Sequence, residues 1–161
     1  MKLVLIAMLM VCTSCSHTYY VVRHAERADV AGNNDPQISD KGKERAIAVK
    51  EIVAKKKIAY IYSTNTNRTK STAQPTADYF KLPVTTYGPR PDSAFIASVK
   101  ALKKNVLIVG HSNTVDDVVN MLYGEKKVPA DLSESEYNKL YIIKIKGKKM
   151  QFEEKAIYPK N

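Results

Sequence analysis

Two short apolar runs in this chain each end in a histidine: Tyr19-Tyr20-Val21-Val22-Arg23-His24 and Val106-Leu107-Ile108-Val109-Gly110-His111. Such runs, rich in β-branched and aromatic residues and bounded by polar ones, read as strands. A run with no alternation of apolar and polar residues is buried on both faces, which points to a parallel sheet covered by helices. Two such strands side by side bring both imidazoles to one edge. The chain has three histidines, so most of them fall in this arrangement. An arginine beside the first suggests that the pocket between them holds an anion.

The rest of the pattern agrees. Ser39 can cap a helix reaching about residue 56, with Asp40 near its positive end. Ala46, Val49, Ile52 and Val53 recur there at helical spacing. Residues 58–62 read as a strand, and 67–80 as a helix that Pro75 should kink or delay. Residues 82–87 are a further strand candidate, 88–91 a loop and 92–103 a helix. Residues 113–122 form a helix that Ser112 or Asn113 begins. Residues 140–145 and 150–157 read as a pair of strands joined across Gly147. Strands alternating with helices give an α/β fold, a three-layer α/β/α sandwich with a mostly parallel central sheet. Ligands gather beyond the carboxyl ends of the strands in such sheets. Both histidine runs end there.

The first residues are set apart. Lys2 precedes nine apolar residues, 3–11, which is too short for a bilayer span but has the form of a secretory signal. Cys12-Thr13-Ser14-Cys15-Ser16 resembles a lipobox, and Cys15, preceded by small Ser14, is the better acceptor of a lipid. The expected organisation is a signal peptide over residues 1–14, a lipidated tether over 15–18 containing an unstructured His17, and one domain over 19–161. Localisation in the bacterial cell envelope follows, with the membrane as a partner through Cys15. No cysteine remains beyond Cys15, so the domain has neither an internal disulfide nor a thiol nucleophile. The net charge of +10 lies largely in short lysine runs. These read as solvated surface, with an added attraction for phosphorylated substrates or anionic headgroups. No nucleic-acid motif accompanies them.

Four motifs, in order, resemble the histidine phosphatase superfamily, also called phosphoglycerate mutase-like. They are Arg23-His24; Ile38-Ser39-Asp40-Lys41-Gly42; Arg68-Thr69-Lys70-Ser71-Thr72-Ala73; and Gly110-His111-Ser112-Asn113. The resemblance implies a phosphohistidine mechanism on His24, with Arg23, Arg68 and His111 around the phosphoryl group. Physical chemistry supports these roles. A phosphoryl group carries about −1.5 to −2 charges. Arginines offer planar forks to its oxygens, and a helix start after His111 offers backbone N–H groups. His24 can attack when one nitrogen is unprotonated and the other donates, for example to a backbone carbonyl. Gly42, in a first helical turn, suggests close approach by another segment.

The family's general acid is a carboxylate between the second arginine and the second histidine, commonly in a glutamate-rich motif that is absent here. Asp92, after a rigid loop, is the first candidate and Glu26 the second. Glu26 and Asn113 are also candidates for binding substrate, and Asn113 for capping a helix. Glu134 and Glu136 read as solvated. Ala25 stands where many family members have glycine. No cofactor is implied, and no metal, because no ligand cluster has suitable spacing.

The function expected is a phosphomonoester hydrolase of the cell envelope, acting on phosphorylated small molecules. A phosphoglycerate mutase-type phosphotransferase and a protein-phosphohistidine phosphatase conflict with export. A phytase-like enzyme would need a longer signature and disulfides. A lipoprotein that binds phosphate or phosphoglycans without turnover is the alternative from another class. The loops at 28–37 and 123–136 are expected to shape specificity.

Overall fold

The computed structural model describes residues 16–159, so the expected signal segment, Cys12 and Cys15 lie outside the described residues. Six strands and four helices alternate: β1 (Ser16–Arg23), α1 (Asp40–Val53), β2 (Tyr60–Thr64), α2 (Asn67–Phe80), β3 (Val84–Tyr87), α3 (Ser93–Leu102), β4 (Val106–Gly110), α4 (Val115–Tyr123), β5 (Lys139–Lys146) and β6 (Lys149–Ala156). They build one sheet of order β3-β2-β4-β1-β5-β6. The first four strands in that order are mutually parallel; β5 runs antiparallel to β1 and to β6. The sheet is therefore mixed, with its parallel part carrying both histidine runs.

Alternate side chains explain the layers. Tyr19 and Val21 of β1, with Val106 and Ile108 of β4, pack against Ile96 and Val99 of α3 and Val115, Val118, Val119 and Leu122 of α4. Tyr20 and Val22, with Leu107 and Val109, face the other way, onto Val49 and Val53 of α1 and Ala73 and Ala77 of α2. Every residue of β4 is buried, as its unbroken apolar run requires. The edge strand β6 is mostly exposed and charged, which discourages edge-to-edge pairing.

Several boundaries differ from the sequence reading. Residues 16–18 are not a tether. They open β1, pairing Ser16, His17 and Thr18 with Lys146, Ile145 and Lys144. His17 is buried, its Nε2 3.0 Å from the Tyr19 hydroxyl. The polar Ser-His-Thr sequence hides a strand because partners on β5 and Asn105, not local pattern, fix it. The helix after His111 begins at Val115 with Thr114 at its N-cap, two residues later than expected, because residues 112–114 form a turn. Pro75 does not delay α2, which starts at Asn67 and continues past it.

Candidate active site

The carboxyl ends of β1, β2 and β4 open into a cavity of about 650 Å³. Arg23 and His24 reach it from β1, Arg68 from the start of α2, and His111, Ser112 and Asn113 from the turn after β4. The parallel register that pairs Arg23 with Gly110 is what sets the two histidines side by side. His24 N–H also donates to the Gly110 carbonyl at 2.9 Å. The imidazole centroids lie 5.4 Å apart at a steep angle.

His24 is 4% exposed. Its Nδ1 lies 2.8 Å from the Ala25 carbonyl oxygen. A carbonyl can only accept, so Nδ1 carries the proton and Nε2 of the neutral ring holds the lone pair. Burial, opposed by that hydrogen bond and reinforced by Arg23, His111 and Arg68, lowers the His24 pKa to about 3. The ring is therefore neutral near pH 7. Burial, then Arg68 and Arg23, likewise lowers His111 to about 4. His111 Nε2 is 2.8 Å from Thr64 Oγ1, which donates to Thr69 Oγ1; Thr69 in turn donates to the Thr64 carbonyl.

The loop carrying His24 is fastened from two sides. Ala25 N–H donates to Thr72 Oγ1 at 2.9 Å, and that hydroxyl donates to the Arg68 carbonyl. The Glu26 carbonyl accepts from the Ser39 backbone at 2.8 Å. A Cβ added at Gly42 would lie 2.3 Å from that carbonyl oxygen, so the close approach read from the sequence is present. Ser39 caps α1 by accepting from Gly42 N–H.

Arg23, 2% exposed, is held by the segment after α4. Its Nη1 donates to the carbonyls of Ser133, Glu134 and Glu136, and its guanidinium stacks 4.1 Å over Tyr137. Its Nη2 meets the Glu134 carboxylate at 3.2 Å, and its buried Nε has no partner. Arg68 pairs with Asp35 at 3.3 Å. Asp35 also accepts from Asn67 N–H at the start of α2, which its own N-cap side chain leaves uncapped.

Two expected residues do other work. Asp92 is exposed and caps α3, accepting from Phe95 N–H at 2.7 Å; it does not line the cavity. The rigid loop before it ends directly in a helix, whose unsatisfied N–H groups claim the carboxylate. Glu26 points away as well, gripped by Arg45 through Nε at 2.8 Å and Nη2 at 2.6 Å. Burial alone would raise its carboxyl pKa, but Arg45 outweighs this and holds it below the usual range. Asn113 does line the cavity, though it does not cap the helix.

A profile of the histidine phosphatase superfamily (branch 1) matches residues 19–88. Over these residues the chain is similar to the histidine phosphatase superfamily. Solved structures extend the likeness of fold over most of the chain. SixA from Agrobacterium tumefaciens is 20% identical, with a TM-score of 0.64 over 86% of this chain and 97% of that one. A protein histidine phosphatase SixA complexed with tungstate is 18% identical, with a TM-score of 0.65 over 86% and 96%. A phosphoserine phosphatase mutant from Entamoeba histolytica is 13% identical, with a TM-score of 0.59 over 84% and 94%. At these identities the likeness is one of fold. No curated protein matches by sequence.

The matching profile and the paired histidines together support phosphatase-type activity. Sequence reasoning missed five residues at the site. Arg27 and Arg90 add cationic walls, and Asp131 and Glu134 add carboxylates. Tyr137 stacks on Arg23. Arg27 lies three residues from His24, so proximity was a usable signal. The others come from loops without periodicity.

Proposed function

We propose that the protein is a metal-independent phosphomonoester hydrolase of the cell envelope, working through a phosphohistidine on His24. The observation that carries the reading is the Nδ1–H of His24 on the Ala25 carbonyl. It leaves Nε2 as a lone-pair nucleophile in a cavity with four arginines on its walls. In the first half-reaction, Nε2 attacks phosphorus and the bond to the leaving oxygen breaks. Arg23 and Arg68 hold the equatorial oxygens as charge develops. As substrate displaces it from Arg23, the exposed Glu134 carboxylate takes a proton from solvent and gives it to the leaving oxygen. In the second half, water attacks phosphorus, the N–P bond breaks, and Glu134 takes the water's proton. His24 returns neutral.

The envelope location rests on the leader and on Cys15 as the lipid acceptor. Small phosphomonoesters are the natural first panel. The named relatives add phosphoserine and a phosphohistidine peptide to it. A binder without turnover is the second reading, favoured by the position of Asp92 at a helix cap. The test is release of p-nitrophenol from p-nitrophenyl phosphate across about pH 4 to 8, with and without EDTA, beside His24→Ala. Release that survives EDTA and vanishes in the variant supports the hydrolase. Release abolished by EDTA overturns metal independence. A folded protein that binds phosphate and never turns over supports the binder.

A further inference from the structure

The arginines and the lysine runs are segregated along the strand axis. All five arginines of the chain lie at the carboxyl ends of the parallel strands: four line the cavity, and Arg45 grips Glu26 beside it. The lysine runs lie at the other end. Each helix after a parallel strand returns antiparallel to it, so helix C-termini gather at the strands' amino ends. There α1 runs out into exposed Lys55, Lys56 and Lys57, α2 into exposed Lys81, and α3 into exposed Lys103 and Lys104. The β5–β6 hairpin adds exposed Lys146, Lys148 and Lys149, since Lys146 pairs with Ser16 at the start of β1. The carboxylates nearby are Glu51, Asp78, Glu125 and Glu153, of which Glu125 and Glu153 are paired with Lys127 and Lys144.

Backbone conformation adds an independent observation. Lys57, Lys81 and Lys103 all adopt positive φ, at 50°, 55° and 48°. Glycine or asparagine is the usual residue after a helix in that conformation. Lysine there sacrifices stability, and the chain accepts it three times on one face. Attraction to the helix dipole favours a cation in the last turn, but it does not require the strained residue itself to be the lysine. Asn105 fixes the arrangement: its Oδ1 accepts from Thr18 N–H at 2.8 Å and its Nδ2 donates to the Lys56 carbonyl. The lysine loop is thus tied to the first strand beside a shallow cleft of about 330 Å³.

We infer that this lysine face docks on an anionic phospholipid surface, with the cavity directed away from it. Lysine ammoniums are point charges suited to a diffuse layer of headgroups, whereas arginine forks suit one bound phosphoryl group. Ser16 begins β1 at this end, so whatever is attached at Cys15 enters the fold on the same face. α1, at 14 residues, is about 21 Å long, which sets the scale of separation between the face and the site. The inference goes beyond the hydrolase reading and does not depend on turnover.

The test is co-sedimentation of the full chain with neutral phosphatidylcholine vesicles and with vesicles containing about 30% phosphatidylglycerol, at about 0.05 M and 0.5 M salt. The wild type should bind the anionic vesicles at least tenfold more tightly at low salt, and the excess should collapse at high salt. Replacing Lys55, Lys56, Lys57, Lys103 and Lys104 with Gln should remove the excess while turnover and thermal midpoint stay near wild type. Replacing Lys146, Lys148 and Lys149 with Gln gives a second, smaller loss should the first variant fold poorly. Arg68→Ala should keep the excess. Equal binding to both vesicle types overturns the inference. So does an excess that survives the lysine changes, or binding to heparin with none to vesicles, which would assign the face to a soluble polyanion.

Discussion

The carboxylate of Glu134 sits 3.2 Å from Nη2 of Arg23, on the wall of the cavity that also holds His24. Glu134 is 81% exposed and Arg23 is 2% exposed, so the acid reaches in from solvent onto a fixed cation. It occupies a donor that a phosphoryl oxygen would use. On the proposed mechanism, Glu134 displaced from Arg23 serves the leaving group. Glu134→Gln should leave the pre-steady-state burst of p-nitrophenol from p-nitrophenyl phosphate within a few-fold, because p-nitrophenolate leaves without a proton. With an alkyl phosphomonoester, kcat should fall about 10²-fold or more. Equal small effects on both substrates would remove Glu134 as the acid.

Arg68 meets the half-exposed Asp35 carboxylate at 3.3 Å, whereas three backbone carbonyls hold Arg23. Its fork is free to turn to substrate. Arg68→Ala should lower turnover by about 10²–10³, the scale seen when one charge-stabilising donor is lost. Arg68→Lys should recover only part of this, because an ammonium lacks the fork. A loss of only a few-fold in the alanine variant would take Arg68 out of contact with the reacting group.

Acid should inhibit late. His24 and His111 have pKa values lowered from 6.5 to about 3 and about 4. Both rings stay neutral well below pH 6, so kcat/KM, which reports the free enzyme, should show no loss through an ionisation near 6.5. The same shifts act on folding. The unfolded chain takes up these protons as pH falls through about 6.5, whereas the folded chain waits until about pH 4 to 3, so stability should decline across that window. Thermal midpoints that stay flat from pH 7 to pH 4 would contradict the burial of neutral imidazoles.

Gly42→Ala pits two effects against each other. Alanine in a helix is favoured over glycine by up to about 1 kcal/mol. The new Cβ, however, would meet the Glu26 carbonyl oxygen at 2.3 Å and Ile38 Cβ at 2.9 Å. Backbone cannot yield cheaply, and overpacking of this kind costs about 1–3 kcal/mol. The clash should win, with a thermal midpoint lower by a few degrees and reduced turnover, since Glu26 is two residues from His24. A raised midpoint would show that the α1–loop contact relaxes.

The readable part of this protein was the part written in short-range pattern. Unbroken apolar runs gave β1 and β4, and their terminal histidines and arginine fell on one edge because parallel strands share a direction. Gly42 was readable because a helical glycine without a turn to make needs another cause. Asp92 failed for a local reason: one residue before a helix, its carboxylate serves the Phe95 N–H. Glu26 failed for a distant one, since Arg45 lies 19 residues away and nothing in spacing announces that pair. Glu134 and Tyr137 reach the site from a loop after α4, held by carbonyl contacts to Arg23 that leave no trace in sequence. His17 looked like tether because its burial comes from β5, more than a hundred residues on.

The central claim is a covalent intermediate on His24. The most direct measurement is rapid quenching of the enzyme with a ³²P-labelled phosphomonoester, followed by mapping of the labelled peptide. The label should be stable in base, lost in acid, located on His24 and absent from His24→Ala. Turnover without any trapped label, or a label that persists in His24→Ala, would contradict it.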